Sequence, residues 1–252
     1  MFEIPLPPNS SNYDGMYLVR FVSELAHQQM FMDGKIFFNT SDYFMNSEVE
    51  DQGDSLQGIH RIVRPTEAQL VSANIEIYDG KGWMVARDYT AEPQNFPGPQ
   101  IISYSPAENR RRKLVCFYSM LVDSKRETIA PFDERMRDVF GKYAILITDV
   151  NEFVNRVITP LTRDPNMSGV IFGYVNYRNP ETLSGYAEWT PFSKIAKDSY
   201  QKEFRISFIN KDEGVYTLNL LRGLEDIAHP MNADELYSEL YIKDGRLYFP
   251  PF

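Results

Sequence analysis

Short runs of β-branched and aromatic residues recur along this chain and outnumber its helical patterns. Strand-like runs lie at residues 16–22, 35–39, 59–64, 74–78, 82–87, 100–104, 113–120, 143–148, 169–177, 204–209 and 215–221. Helical patterns lie at 23–33, 133–140, 149–158 and 233–239. Because the two kinds do not alternate regularly, the pattern predicts an α+β fold with mostly antiparallel sheets, not a doubly wound one.

Local signals define several boundaries within this pattern. Ser23 is expected to cap the first helix, and Gly34 to end it. Asp149 is expected to cap the helix at 149–158. The runs at 204–209 and 215–221 resemble the two arms of a hairpin, and a second hairpin is expected at 240–249.

The composition is that of one large domain. The chain has 252 residues with a hydrophobic fraction of 43%, and no linker or repeat divides it. We expect a single domain over residues 1–252 that begins with an irregular, proline-rich leader at 1–15. No apolar run approaches the roughly 20 residues of a membrane span, and no secretory signal is present. The expected location is the cytoplasm, with no membrane partner.

Charge, cysteine and histidine content exclude several classes of function. The net charge of −9 argues against broad, charge-driven binding of nucleic acid. The basic run at 110–113 is interpreted as a solvated strand entry or as a phosphate contact. Cys116, the only cysteine, lies in an apolar run and is expected to pack as a buried thiol. The three histidines lack metal-ligand spacing, so no metal site is expected.

Three segments remain as candidates for chemistry, because the common phosphate-loop, dinucleotide, nucleophile-elbow and zinc-protease motifs are absent. The first is the strand that contains Tyr17 and Arg20. The second, at 34–44, reads GKIFFNTSDYF and follows a short helix. The third reads YQKEFR, at 200–205, and contains Gln201 and Glu203.

The order and spacing of these segments resemble the ADP-ribosyltransferase pattern, in the branch with an arginine, a serine-rich strand and a late glutamate. Asn-Thr-Ser at 39–41 stands where that branch has Ser-Thr-Ser. A second resemblance, over about residues 16–210, is to the bacterial family DUF2971. It is carried by VCFYS at 115–119, FGKYA at 140–144, EFVNRV at 152–157, YVNY at 174–177, PFSK at 191–194 and then YQKEFR.

These resemblances imply an ADP-ribosyltransferase-like fold with split, mostly antiparallel sheets and flanking short helices. They imply a mono-ADP-ribosyltransferase that consumes NAD and modifies a macromolecular acceptor, such as RNA or DNA. DUF2971 proteins often occur near phage-defence or toxin genes, which implies a toxin or anti-phage effector with a neutralising antitoxin as partner. Two alternatives stay open: an NAD glycohydrolase, and an inactive module of the same fold that binds a ligand or a protein.

The glutamate and the glutamine of the third segment are the expected catalytic residues. When nicotinamide leaves NAD, positive charge develops at ribose C1′, and Glu203 would stabilise it by accepting a hydrogen bond from the 2′-hydroxyl. Gln201, expected on the same strand face, would position the acceptor. A structural alternative is a pair between Glu203 and Arg205 on one strand face, which is worth little at a surface.

The first two segments are expected to hold NAD. Arg20 would bind the pyrophosphate, with Tyr17 as the alternative first-motif residue. The hydroxyl of Thr40 or Ser41 would orient the glutamate or the ribose, and these two residues are equally typical of a turn or a cap. The rings at Tyr43 or Phe44 would stack on nicotinamide.

Three acidic or basic residues have competing structural interpretations. Arg20 is also suited to pair with an acid, such as Glu203, inside the sheet. Asp51 and Asp54, in the acidic segment at 47–58, are interpreted as solvated loop acids, with support of the site as the alternative.

Overall fold

The computed structural model describes residues 4–7, 10–47, 53–54, 56–64, 75–78, 83–86, 100–183 and 185–249. Its strands are β1 (Gly15–Val22), β2 (Lys35–Thr40), β3 (Ile59–Arg64), β4 (Ile75–Tyr78), β5 (Trp83–Ala86), β6 (Gln100–Ser103), β7 (Arg112–Asp123), β8 (Thr128–Ile129), β9 (Tyr143–Ile147), β10 (Met167–Tyr174), β11 (Asn176–Arg178), β12 (Gly185–Glu188), β13 (Ser193–Ile195), β14 (Glu203–Asn210), β15 (Tyr216–Asn219), β16 (Ala228–Asn232), β17 (Tyr241–Lys243) and β18 (Arg246–Tyr248).

Helices are fewer and mostly short, which completes the α+β class that the sequence predicts. They are α1 (Leu25–Met32), α2 (Ser41–Met45), α3 (Pro106–Arg111), α4 (Arg135–Phe140), α5 (Val150–Arg163) and α6 (Ala233–Ser238), with 3-10 turns at Pro180–Thr182 and Ala196–Gln201. No helix in the described ranges is long and apolar enough to cross a membrane. Three prolines at 91–99 predict a long loop, and this segment lies outside the described residues.

A nine-stranded antiparallel sheet forms the centre of the fold. Its main order is β10-β14-β7-β1-β9-β16, while β2 pairs with β7 and β15, and β8 pairs with β7. The long strand β7 therefore has β1, β14 and β2 as direct neighbours. Because these three strands carry the three candidate segments, the topology brings the segments together at β7.

Apolar residues cover both faces of this sheet. Along β1, Leu18 belongs to one core cluster and Val19 to the other, as expected when successive side chains point to opposite faces. On the first face α5 packs with Phe153 and Val157, both fully buried. On the second face α4 and α6 supply Met136 and Leu236, respectively.

Some predicted boundaries are confirmed and others are wrong. Asp149 caps α5 by accepting from the Glu152 amide, and Gly34 follows α1 with a φ of 82°. Ser23 is not the cap of α1, because Glu24 holds the N-cap position and makes no capping hydrogen bond. The hairpin at 240–249 forms as β17 and β18.

The hairpin predicted from 204–209 and 215–221 is wrong. Strand β14 pairs with β10 and β7, and strand β15 pairs with β2. The strand periodicity was correct, but the intervening turn residues are equally compatible with strands that leave for different partners.

Phe153→Ala is expected to destabilise the fold by about 3–5 kcal/mol, because its ring is fully buried against Phe117 at 5.2 Å and Phe31 at 6.0 Å between ring centroids. The measurement is the free energy of unfolding in a urea titration. Leu221→Ala, at a fully exposed side chain, is the control and should leave the midpoint unchanged. An equal loss in both variants would contradict this description of the core.

Candidate functional site

A cavity of about 300 Å³ lies where β1, β2, β7 and β14 meet. Five of the predicted site residues line it: Arg20, Tyr43, Phe44, Gln201 and Glu203. Three segments far apart in sequence therefore converge on one cavity. Its volume is at the lower end of the range typical of small-molecule sites.

Glu203 lies in the wall of the cavity as a buried carboxylate, 6% exposed. Its Oε1 accepts from Lys194 Nζ at 2.9 Å, and its Oε2 accepts from Arg205 Nε at 2.6 Å. Burial alone would raise the pKa of Glu203, but the two cations outweigh it and hold that pKa well below the usual range. Glu203 is therefore ionised at neutral pH.

Further buried polar groups surround this ion pair. Arg205 Nη1 donates to Gln57 Oε1 at 2.6 Å and to the Pro191 carbonyl at 2.5 Å. Its Nη2 lies 3.5 Å from Asp54 Oδ2, and Lys194 Nζ lies 3.8 Å from Asp198 Oδ2. We call Asp54, Lys194, Asp198, Glu203 and Arg205 the charge cluster.

The charge cluster confirms one predicted pair and corrects two interpretations of the sequence. Glu203 and Arg205 do form an ion pair, but it is buried, so the small value of a surface pair does not apply to it. Asp54 is 5% exposed and is not a solvated loop acid. Burial raises the pKa of the Asp54 carboxyl, while the nearby Arg205 lowers it. Asp51 lies outside the described residues.

Gln201 reaches the cavity by a different route from the one predicted. It ends the 3-10 helix at Ala196–Gln201, and Lys202 then adopts a left-handed conformation with a φ of 40°. The strand begins only at Glu203, so Gln201 does not share its strand face. Both side chains nevertheless meet at Lys194, whose Nζ donates to Gln201 Oε1 at 2.6 Å.

Arg20 presents a guanidinium to the cavity without pairing to Glu203. Its Nη1 donates to the Cys116 carbonyl at 2.7 Å, and no ion pair joins it to Glu203 within the described chain. The predicted alternative, a pair inside the sheet, is therefore wrong. Burial lowers the pKa of Arg20, and the charge of Glu203 opposes that shift. The bond to the Cys116 carbonyl is the one hydrogen bond of Arg20 among the described residues, so most of its five donors are available to a ligand within that part of the chain. Tyr17 packs against the second core cluster and does not line the cavity.

Thr40 and Ser41 do not face the cavity, which corrects their expected role. Thr40 Oγ1 accepts from the Tyr43 amide at 3.0 Å and caps α2. Ser41 is fully buried, and its Oγ has no hydrogen-bond partner among the described residues. The cap matters indirectly, since α2 carries Tyr43 and Phe44 to the cavity as an edge-to-face pair with centroids 5.3 Å apart.

Cys116 and the basic run do not supply further chemistry. Burial raises the pKa of the Cys116 thiol to about 12, so the thiol stays protonated and is a poor nucleophile.

In the basic run at 110–113, Lys113 is fully buried and donates to the carbonyls of Arg110 and Asp212. The side chain of Arg112 is also buried. The run is thus not a continuous phosphate-binding surface. No group of potential metal ligands occurs in the described ranges.

Lys194 and Tyr177 both contact Glu203 but were not predicted from the sequence as residues of the site. Tyr177 and Lys194 are register partners in the parallel pair β11–β13, and the Tyr177 hydroxyl accepts from the Glu203 amide at 2.9 Å. The two residues end the segments YVNY at 174–177 and PFSK at 191–194, which are the one sequence signal near them. Neither strand is long enough to stand out by periodicity.

No family model matches the chain, and comparisons with curated proteins and with solved structures give no match.

Glu203→Gln is expected to cost about 3–5 kcal/mol of unfolding free energy at pH 7, because it leaves two buried cations without their shared carboxylate. The pKa of Glu203 is depressed in the folded state. Its stabilisation is therefore fully present above the ordinary glutamate pKa of 4.5 and is lost as pH falls from there toward the lower pKa of the folded state. Urea titrations of both proteins between pH 7 and pH 3 should show the difference narrowing below about pH 4.5. A difference that is constant with pH would contradict an ionised Glu203.

Proposed function

We propose that the protein is an NAD-dependent mono-ADP-ribosyltransferase that transfers ADP-ribose to a macromolecular acceptor such as RNA or DNA. The observation that carries the proposal is the ionised, buried carboxylate of Glu203 in a cavity that also contains Arg20, Tyr43 and Phe44. A permanent negative charge beside aromatic rings and a cation suits a ligand with a cationic ring, a ribose and a pyrophosphate.

In the proposed reaction, the bond between ribose C1′ and the nicotinamide nitrogen breaks, and its electron pair leaves with nicotinamide. The acceptor forms the new bond to C1′ and releases its proton to water. Glu203 stabilises the positive charge at C1′ through a hydrogen bond from the 2′-hydroxyl. Each of its oxygens accepts one bond from a cation and retains a lone pair for that contact.

The remaining lining residues support NAD binding and placement of the acceptor. Arg20 donates to one carbonyl among the described residues, and its planar guanidinium is suited to bind the pyrophosphate with its other donors. Tyr43, 48% exposed, is accessible for stacking on nicotinamide, with Phe44 against its edge. Gln201 lies beside Glu203 through their shared contact with Lys194 and positions the acceptor.

We further propose an ADP-ribosyltransferase-like arrangement of the site and a biological setting for it. The arrangement rests on the three candidate segments, which lie on or next to β1, β2 and β14, the strands that pair with β7. The setting is a cytoplasmic bacterial toxin or anti-phage effector that a partner antitoxin neutralises. The resemblance of 16–210 to DUF2971 supports that setting.

A second candidate function is a binding module that keeps the cavity without turnover. The observation that favours it is the occupation of both Glu203 oxygens by Lys194 and Arg205. A carboxylate used entirely in ion pairs would stabilise the fold and not the reaction. An NAD glycohydrolase differs from the transferase only in passing the ribose to water.

The proposal predicts that NAD labelled on its adenylate half, incubated with the protein and cell extract, transfers label to a macromolecule. Glu203→Gln is expected to lower kcat by about 100-fold or more, because a charge formed in the transition state loses its partner. Arg20→Ala is expected to raise KM for NAD by about tenfold with less effect on kcat. The reason is that Arg20 would bind the pyrophosphate equally in the ground state and in the transition state. Turnover is measured as nicotinamide release.

Glu239→Gln, the same substitution at an exposed position away from the cavity, is the matched control and should keep wild-type turnover. Loss of label after nuclease would identify a nucleic-acid acceptor, and loss after protease a protein acceptor. Free ADP-ribose as the sole product would indicate the glycohydrolase. Binding of NAD without nicotinamide release would favour the binding module over the enzyme.

A further inference from the structure

Lys194 connects the two side chains proposed to act on the substrate. Its ammonium donates to Gln201 Oε1 at 2.6 Å and to Glu203 Oε1 at 2.9 Å, and the residue is 2% exposed. The acceptors belong to different elements, the 3-10 helix that ends at Gln201 and the strand β14 that begins at Glu203. One buried cation thus fixes the position of each side chain relative to the other.

The strand that carries Lys194 is itself held beside Glu203. In the β11–β13 pair Lys194 is the register partner of Tyr177. The Tyr177 hydroxyl accepts from the Glu203 amide at 2.9 Å, and the Val175 amide donates to the Glu203 carbonyl at 2.9 Å. Backbone and side chain of Glu203 are therefore both anchored to the chain segment around β11 and β13.

Charged and titratable groups face Glu203 from every element packed around it. Arg205 lies on the same strand as Glu203. Its guanidinium also contacts Gln57, the Pro191 carbonyl and Asp54. The other groups are Arg20 from β1, Cys116 from β7, Tyr177 from β11, Lys194 from β13, Asp198 from the 3-10 helix and Asp54 from the loop before β3. Of these groups, Lys194 and Arg205 are the cations bonded directly to the Glu203 carboxylate.

We propose that Lys194 is a positioning residue of the site, which holds Gln201 and Glu203 in one fixed arrangement by donating a hydrogen bond to each. The expected effect of Lys194 on kcat rests on the proposed transferase function. Its expected effect on the protonation of Glu203 does not. Removal of the Lys194 charge leaves the Glu203 carboxylate buried with one cation that it shares with Asp54. The carboxylate then takes up a proton more readily.

The test compares Lys194→Gln, which is neutral but can still form hydrogen bonds, with Lys194→Arg, which restores a cation. Lys125→Gln, at an exposed lysine, is the matched control for loss of one positive charge. The first readout is the ¹³C signal of the Glu203 carboxyl followed by NMR as pH falls. The second readout is nicotinamide release from NAD, measured as kcat and KM across the same pH range.

In Lys194→Gln the Glu203 carboxyl should take up its proton at clearly higher pH than in the wild type, and Lys194→Arg should restore the low value. Lys194→Gln should lower kcat by about 10- to 100-fold, as for other residues that orient a functional group, with a smaller change in KM. Its activity should decline further toward acid pH, because only ionised Glu203 is active. Lys125→Gln should match the wild type in both readouts.

An unchanged Glu203 titration in folded Lys194→Gln would overturn the proposal, whatever the activity. A second outcome is that Glu203 titrates as expected in both Lys194 variants while the wild type releases no nicotinamide. That outcome would refute the transferase function and leave the effect of Lys194 on Glu203 established. If Lys194→Gln does not fold, the wild type supplies the test. Its Lys194 ammonium should give a slowly exchanging ¹⁵N signal at neutral pH, and a fast-exchanging one would overturn the proposal.

Discussion

The carboxylate of Glu203 is held out of water between Lys194 and Arg205, and the geometry of the site depends on this arrangement. Removing an ion from water costs several kcal/mol, so such a group persists only where partners with good geometry surround it. Here the backbone of Glu203 is also bonded, to Tyr177 and to the segment before β11. The result is a negative charge that is fixed in position and stays ionised at neutral pH, which suits stabilisation of a cationic transition state.

Strand β7 supplies the second constraint, because it determines which segments can reach that carboxylate. Its neighbours β1 and β14 carry Arg20 and Glu203, and β2 leads directly into α2 with Tyr43. The cavity at this junction combines a cation, exposed aromatic surface and an anion within about 300 Å³. Each feature alone is common in proteins. Their convergence on one strand is what supports a specific ligand over a purely structural ion pair.

Periodicity predicted the α+β class and most strands, because side-chain alternation is a local property of the sequence. The segments that line the cavity were selected through a resemblance to a family pattern and not by periodicity. Strand partners were less predictable, as the false hairpin between β14 and β15 shows, because pairing depends on burial elsewhere in the sheet. Thr40 was assigned to the site, but its hydroxyl is used as a helix cap. The importance of Lys194 could not be predicted by spacing, since a 3-10 turn and a left-handed Lys202 bring Gln201 and Glu203 to it.

We propose that Glu203 contacts the nicotinamide ribose of NAD within this cavity. A crystal structure of the protein with a non-cleavable NAD analogue would test this contact. The ribose 2′-hydroxyl should lie within hydrogen-bond distance of a Glu203 carboxylate oxygen, with the pyrophosphate at Arg20. An analogue bound elsewhere, or bound in the cavity with its ribose away from Glu203, would contradict it.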